Sequence, residues 1–318
     1  MGDPAGIGPE IAVKALCEKR PYRVAVAGDT EILQKAADLC KLSPEFNIIN
    51  TPNDAVNAEN TINVLDMKEI TTAQFTPGAP QASCGRAAYQ YIIKAIELTM
   101  SGKAAGVVTN PISKESLKLA GINYPGHTEI FADKTGTANY SMVFLLDGVA
   151  VAHVTTHVSL RQAIELVTKD RVLNQIRLLH KSLKGLGIDP PRMAVAGLNP
   201  HAGENGQFGD EEIREIIPAI NEAKTEGIDA TGPLPPDTVF NRAFKGEFNG
   251  IVSMLHDHGF VALKSRDFEH GVNITVGLPI IRTSVGHGTA FDKAWRGTAG
   301  AESLVAAMDA AFEMSKSK

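Results

Sequence analysis

The sequence predicts an α/β protein with a largely parallel or mixed sheet, and two observations carry that expectation. Short apolar runs rich in β-branched residues alternate with longer segments of helical period. Several of these runs stop where a polar motif begins, as happens in open α/β sheets that bind ligands beyond the carboxyl ends of their strands. Taken in order, the Val- and Ala-rich run 22–27 follows a helix expected over 9–19, where Pro9 stands in the first turn. A helix over 31–39 and a long one over 82–101 lead to a strand over 106–109. Strands over 141–146 and 149–154 are nearly continuous apolar runs, and helices over 160–168 and 169–186 follow with apolar residues three and four apart. Strand 192–197, helices 209–226 and 236–245, and strands 250–254 and 272–276 complete the series. No internal repeat, low-complexity tract or long flexible linker interrupts it, so any two-domain division requires strands that pass between lobes.

The chain has 318 residues, 43% hydrophobic and 21% charged, enough for one large domain or two closely joined ones. Its formal charge of −5 and the absence of a basic run argue against nucleic acid or an anionic membrane as partner. Cys17, Cys40 and Cys84 are odd in number and lack the spacing of a zinc or redox motif, which suits a reducing, cytoplasmic setting. No apolar stretch reaches the length of a membrane span and no secretory signal is visible. The opening Met1-Gly-Asp-Pro-Ala-Gly-Ile-Gly8 reads as a strand-to-helix turn with no strand before it. A first strand is therefore expected ahead of it, left out of this sequence or lost to a late start codon.

Three histidines stand in separate polar turns: His157 in Thr-Thr-His-Val-Ser-Leu, His201 in Asn-Pro-His-Ala-Gly-Glu and His256 in Met-Leu-His-Asp-His-Gly. Imidazole is the commonest ligand for a divalent metal, and three of them leave a position open for a substrate oxygen. Their separations, 201 − 157 = 44 and 256 − 201 = 55, are too long for a zinc finger, so the fold or two chains must gather them. His153 and His258 stand near enough to compete, and Asp237 and Asp257 are candidates to orient the rings. Pro125-Gly-His127-Thr128-Glu129 precedes a helical stretch whose amino end would welcome an anion, although an ordinary N-cap by Thr128 explains it equally. Lys264, Asn273 and Arg282 add two fixed positive charges and an amide, with Arg282 expected to emerge at a strand end. His287-Gly288-Thr289-Ala290-Phe291-Asp292 forms a glycine-bearing turn, while the glycines at residues 2, 6 and 8 lack the Rossmann spacing.

Taken together and in this order, these motifs, with Gly-Pro-Leu-Pro-Pro-Asp-Thr and Arg-Thr-Ser-Val-Gly-His-Gly-Thr-Ala, resemble the 4-hydroxythreonine-4-phosphate dehydrogenase family over nearly the whole chain. The resemblance implies a two-domain subunit of the isocitrate and isopropylmalate dehydrogenase type, with residues 1–122 and 272–318 forming a nucleotide-side domain and 123–271 a metal and dimer domain. It implies a homodimer with its active site in an interdomain cleft. By position, His157, His201 and His256 of the partner subunit match metal ligands. His127, Thr128, Lys264, Asn273 and Arg282 match substrate-binding positions, and His287, Gly288, Thr289, Ala290 and Asp292 resemble the turn that holds the adenosine of NAD. Two positions depart: the family usually has Gln where this chain has His258, and Asp where it has Gly286.

The chemistry so implied is NAD- or NADP-dependent oxidation and decarboxylation of a 4-phosphorylated 3-hydroxy acid, with zinc, cobalt, manganese or magnesium polarising the hydroxyl. The expected substrate is 4-phosphooxy-L-threonine, giving 3-amino-2-oxopropyl phosphate and CO2 in pyridoxine biosynthesis. D-threonate or D-erythronate 4-phosphate is the alternative. Asp237, Asp257 and His258 are the candidate bases. A metal-dependent phosphate-ester hydrolase and a non-catalytic binding protein are the rival classes.

Overall fold

The computed structural model describes residues 1–267 and 270–316, which divide into two compact units. Residues 1–138 and 278–312 make the first, and residues 139–277 with the last few residues make the second. The division falls after residues 138 and 277, where the resemblance implied 122 and 271; the stretch that carries His127 and Thr128 therefore joins the first unit.

In the first unit, α1 (Gly8–Cys17), β1 (Ala25–Gly28), α2 (Thr30–Leu39), β2 (Glu45–Ile48) and β3 (Thr61–Asp66) build a parallel sheet of order β1-β3-β2. Then α3 (Ala82–Met100), β4 (Gly106–Thr109), α4 (Lys114–Leu119) and α5 (His127–Lys134) follow, and β4 pairs in parallel with β11 (Ile281–Val285). The unit closes with α11 (Glu302–Lys316), of which residues up to 312 belong to it. α3 and α4 approach closely because Gly85 has no side chain: a β-carbon there would lie 2.0 Å from the carbonyl oxygen of Ser116.

The second unit contains β5 (Ser141–Leu146), β6 (Val149–His153), α6 (Leu160–Leu166), α7 (Lys169–Gly185), β7 (Met193–Ala196), α8 (Ile217–Thr225), β8 (Ala230–Leu234), α9 (Val239–Phe244), β9 (Gly250–Ser253), α10 (His256–Arg266) and β10 (Val272–Val276). Its strands run in the order β10-β5-β6-β9-β7-β8. The β10-β5 and β5-β6 pairs are antiparallel, while β6, β9, β7 and β8 are mutually parallel. All five residues of β6 and all four of β7 and of β9 are buried, as expected of strands covered on both faces. On α7, Val172, Leu173, Ile176, Leu179 and Leu183 are buried at three- and four-residue spacing. Each such side chain contributes roughly 1.5–3 kcal/mol when removed from water.

Four strands absent from the sequence reading are present: β2, β3, β8 and β11. β2 is largely exposed, and β8 contains a Gly-Pro pair that reads as a turn. Arg282 is the second residue of β11 and is buried there, a correction to the expectation that it emerges at a strand end. His256 is the first residue of α10 and not part of a free turn. Among the described residues no helix is long and apolar enough to cross a membrane.

Gly85→Ala should destabilise the protein by roughly 2–3 kcal/mol, because backbone must move to admit the methyl group. Thermal or denaturant unfolding measures it, and an unchanged midpoint would contradict the close helix contact.

Candidate active site

Four neighbouring parallel strands of the second unit deliver polar residues at their carboxyl ends. β6 runs out into Thr155, Thr156 and His157, and β9, paired beside it with His153 opposite Ser253, runs into His256. β7, on the other side of β9, leads to the His201 loop, and β8 leads to Asp237. Parallel pairing in register thus gathers residues that are about fifty positions apart in sequence.

The first two loops are tied together. The Thr155 amide and Oγ1 both donate to the Met254 carbonyl, at 3.2 and 2.8 Å. The rings of His157 and His256 lie 5.5 Å apart between centroids, and both line a cavity of about 280 Å3 with Thr155, Thr156 and Asp257. His157 holds its exposed ring at φ 45°, a left-handed conformation that L-residues rarely adopt. Asp257 Oδ1 lies 2.7 Å from Nδ1 of His256. That contact fixes the tautomer and leaves Nε2 for a metal.

His201 stands in a more extreme turn, where residues 201–205 have φ values of 54, 56, 79, 43 and 56°. Left-handed conformation costs roughly 1–2 kcal/mol per non-glycine residue, so other groups must hold it. Glu212, 2% exposed, accepts the amides of Leu198 and Asn199 at 2.7 and 2.8 Å and the Asn199 side-chain amide at 2.9 Å. Hydrogen bonds to a charged group contribute about 1.5–3 kcal/mol each, enough to offset the turn. The His201 side chain is 65% exposed, with Nδ1 3.3 Å from Glu204.

Among the described residues no three His, Cys, Asp or Glu side chains form a group able to hold a metal. The donor chemistry nonetheless fits a divalent cation. Two imidazoles meet at one cavity, one is oriented by a carboxylate, and a third is presented to solvent on a held turn. Of the candidate bases, Asp257 is engaged with His256 and Asp237 is exposed in the turn before α9. His258 is half-buried, its Nδ1 has no hydrogen-bond partner, and burial lowers its pKa against the opposing pull of Asp257.

The anion-binding residues are divided between the units. Arg282 in the first is 3% exposed, donates from Nη2 to Thr109 Oγ1 at 2.7 Å, and sits 5.5 Å from the Phe131 ring centre. Burial pushes its pKa down to about 10, with Glu129 opposing, so a buried positive charge persists at neutral pH. His127 opens α5 and Thr128 follows it in the first turn. Burial, and then the charge of Arg282, push the His127 pKa well below 6.5. In the second unit, Lys264 Nζ lies 5.2 Å from the centre of the Phe260 ring on α10, and Asn273 is half-buried on β10. Sequence reading missed Thr109, Glu212 and Phe260, none of which carries a motif of its own.

The His287 to Asp292 turn lies in the first unit. Gly286 donates to Ser303 Oγ at 3.0 Å, the Thr289 carbonyl accepts the Ile7 amide at 3.1 Å, and Ala290 has φ 43°. A β-carbon on Gly6 would come within 3.0 Å of Thr289, so the opening glycines serve close packing against this turn.

The chain is 44% identical over 317 residues to the D-threonate 4-phosphate dehydrogenase of Pectobacterium atrosepticum, covering 99% of this chain and 97% of the relative. It is 45% identical over 307 residues, 96% of this chain and 92% of the relative, to a putative D-threonate 4-phosphate dehydrogenase of Symbiobacterium thermophilum. The crystal structure of a 4-hydroxythreonine-4-phosphate dehydrogenase from Klebsiella pneumoniae matches with a TM-score of 0.91 at 44% identity, covering 99% of this chain and 98% of that one. A terephthalate 1,2-cis-dihydrodiol dehydrogenase from Burkholderia xenovorans matches with a TM-score of 0.70 at 25% identity over 98% and 96% of the chains. The class is therefore a dehydrogenase of mixed α/β fold. More narrowly, the chain belongs to the family of pyridoxal phosphate biosynthetic protein PdxA, whose model matches residues 20–311.

The His127 shift has a signed consequence. Unfolded, the imidazole takes up a proton near its ordinary value of 6.5; folded, it does so only well below. Under acid the unfolded chain binds more protons, and stability falls as pH drops. His127→Gln should therefore lose less stability than wild type between about pH 7 and about pH 5. Parallel melting-temperature profiles for the two proteins would contradict the assignment.

Proposed function

We propose that the enzyme uses NAD and a divalent cation to oxidise and decarboxylate a 4-phosphorylated 3-hydroxy acid, and that this acid is D-threonate 4-phosphate or its D-erythronate epimer. The observation that carries the choice of acid is the 44% identity, over 99% of the chain, to a relative named for D-threonate 4-phosphate. Resemblance alone points first to 4-phosphooxy-L-threonine, which carries an ammonium where D-threonate carries a hydroxyl. An ammonium needs acceptors, and His258 stands where the resemblance implies Gln, so this chain has an imidazole in place of an amide oxygen there.

His157 and His201 of one subunit and His256 of the partner subunit hold the cation, and Asp257 keeps the His256 ring beside it in the ligating tautomer. When bound, the cation acidifies the 3-hydroxyl and stabilises negative charge after the carboxylate leaves, while the nicotinamide accepts the hydride. Arg282, His127 and Thr128, all in the first unit, bind the terminal phosphate, and their binding energy positions the substrate. Neutral His127 can donate a hydrogen bond to that phosphate without adding a second charge beside Arg282. Asp237 accepts the hydroxyl proton on a carboxylate oxygen. It is exposed at the end of β8, beside the His201 strand; Asp257 is committed to His256, and the family usually lacks a histidine at 258. The His287 to Asp292 turn, braced by Ile7 and Ser303, binds the adenosine of NAD.

A homodimer completes the metal centre. In support of this reading, the second unit leaves Leu160, Ile164, Phe208, Ile213 and Val261 each exposed, apolar side chains that a second copy could cover.

A panel of D-threonate, D-erythronate and L-threonine 4-phosphates, assayed by nicotinamide reduction, should show kcat/KM at least about tenfold higher for one of the sugar acids, a difference of about 1.4 kcal/mol in transition-state binding. Chelation should abolish turnover, and zinc or manganese should restore it. A preference for the amino acid would overturn the choice of substrate, and full activity after chelation would overturn the metal role. Asp237→Asn should lower kcat by about a hundredfold or more with little change in zinc affinity. Near-wild-type kcat would return the role of base to Asp257 or His258.

A further inference from the structure

His153 ends β6 and is 3% exposed, yet among the described residues neither ring nitrogen has a hydrogen-bond partner. A buried polar group left unsatisfied costs roughly 1–3 kcal/mol, so an apolar residue of similar size would suit a purely structural position better. The imidazole lies flat on Phe260, with centroids 4.6 Å apart and planes 5° from parallel. Phe260 in turn packs 4.6 Å from the ring of His256, one helical turn earlier on α10. The edge of the His153 ring fills the place of a missing side chain: a β-carbon on Gly259 would fall 2.1 Å from its Nε2. The ring is thus wedged between Phe260 and the bare backbone of the helix turn that begins with His256. Phe144 closes the far side of Phe260, edge-on at 5.3 Å.

We propose that His153 is a positioning residue for the metal centre: wedged into the notch at Gly259 and stacked on Phe260, it fixes the first turn of α10 and with it the angle at which His256 presents its ring. Burial, and secondarily the neighbouring His256, hold the His153 pKa at about 3, so the wedge is neutral and adds no charge to repel a cation. The face of the ring rests on Phe260 and its Nε2 edge abuts the backbone at Gly259, so two contacts at right angles fix its place. The same helix face carries Lys264 over the outer part of Phe260, so one aromatic ring braces both a metal ligand and a lysine ammonium.

The inference rests on the metal reading of His256, and zinc titration of the apo-protein by calorimetry separates the two. Wild type should bind zinc. His153→Ala and Gly259→Ala should each weaken binding by roughly tenfold to a hundredfold, as loss of a ligand-orienting partner does. The double variant should bind about as weakly as either single one, since both changes break one contact. Phe260→Leu, which keeps the core filled, should also weaken binding and decides the matter if His153→Ala fails to fold. Wild-type zinc affinity in Phe260→Leu or His153→Ala, or losses that multiply in the double variant, would overturn the positioning role while leaving the metal reading intact. A wild-type protein that binds no zinc would overturn both.

Discussion

Parallel register of β6, β9, β7 and β8 is the constraint on which the proposed chemistry depends. A parallel pair sets neighbouring strands side by side pointing the same way, so their outgoing loops leave from one edge. His157, His256, His201 and Asp237 all follow such exits. None is adjacent to another in sequence, yet each needs only a few residues of loop beyond its strand. The antiparallel strands β5 and β10 stand beyond β6 and carry no member of this set; β10 holds Asn273. The chemistry thus clusters where the sheet is parallel.

Burial selects the ionisation states that this chemistry needs. Arg282 keeps its charge although burial lowers its pKa, because even a value of about 10 leaves the guanidinium protonated at neutral pH. His127 has far less margin, and the same burial, with Arg282 nearby, makes it neutral. One fixed cation and one neutral imidazole form a better phosphate receptor than two cations would, since the second charge would be expensive to desolvate beside the first. Thr109 on the neighbouring strand orients the guanidinium, a role set by the β4-β11 pairing and not by any motif.

Much of this was legible in the sequence where pattern and structure share a cause. The strands at 106–109, 141–146 and 272–276 match because short, mostly apolar runs are largely buried in the sheet. β11 escaped notice because Arg282 interrupts its apolar pattern, and a buried arginine is legible only when its partner strand is known. α10 escaped because its first turn, His-Asp-His-Gly, carries turn-forming polar residues that mask the helical pattern. The histidines themselves stood out by composition, whereas the groups that hold them did not. Glu212 reads as one more acidic residue on a helix, and Phe260 as one more core aromatic.

The left-handed turn at His201 shows why the holding groups matter. Four non-glycine residues in that conformation would relax in an isolated peptide, and the imidazole would then sweep a wide arc. Glu212 prevents this from below by binding two backbone amides that lead into the turn, and its own burial keeps water from competing for them. The strain is local and the restraint is charged, so the loop stays exposed and yet retains one shape. For the proposed centre shared between two subunits, an exposed side chain of fixed shape would avoid the conformational entropy lost when a mobile one is ordered on assembly. His256 meets the same requirement from the opposite direction: its ring is less exposed than that of His201, and its fixity comes from a stack of rings in place of a strained backbone.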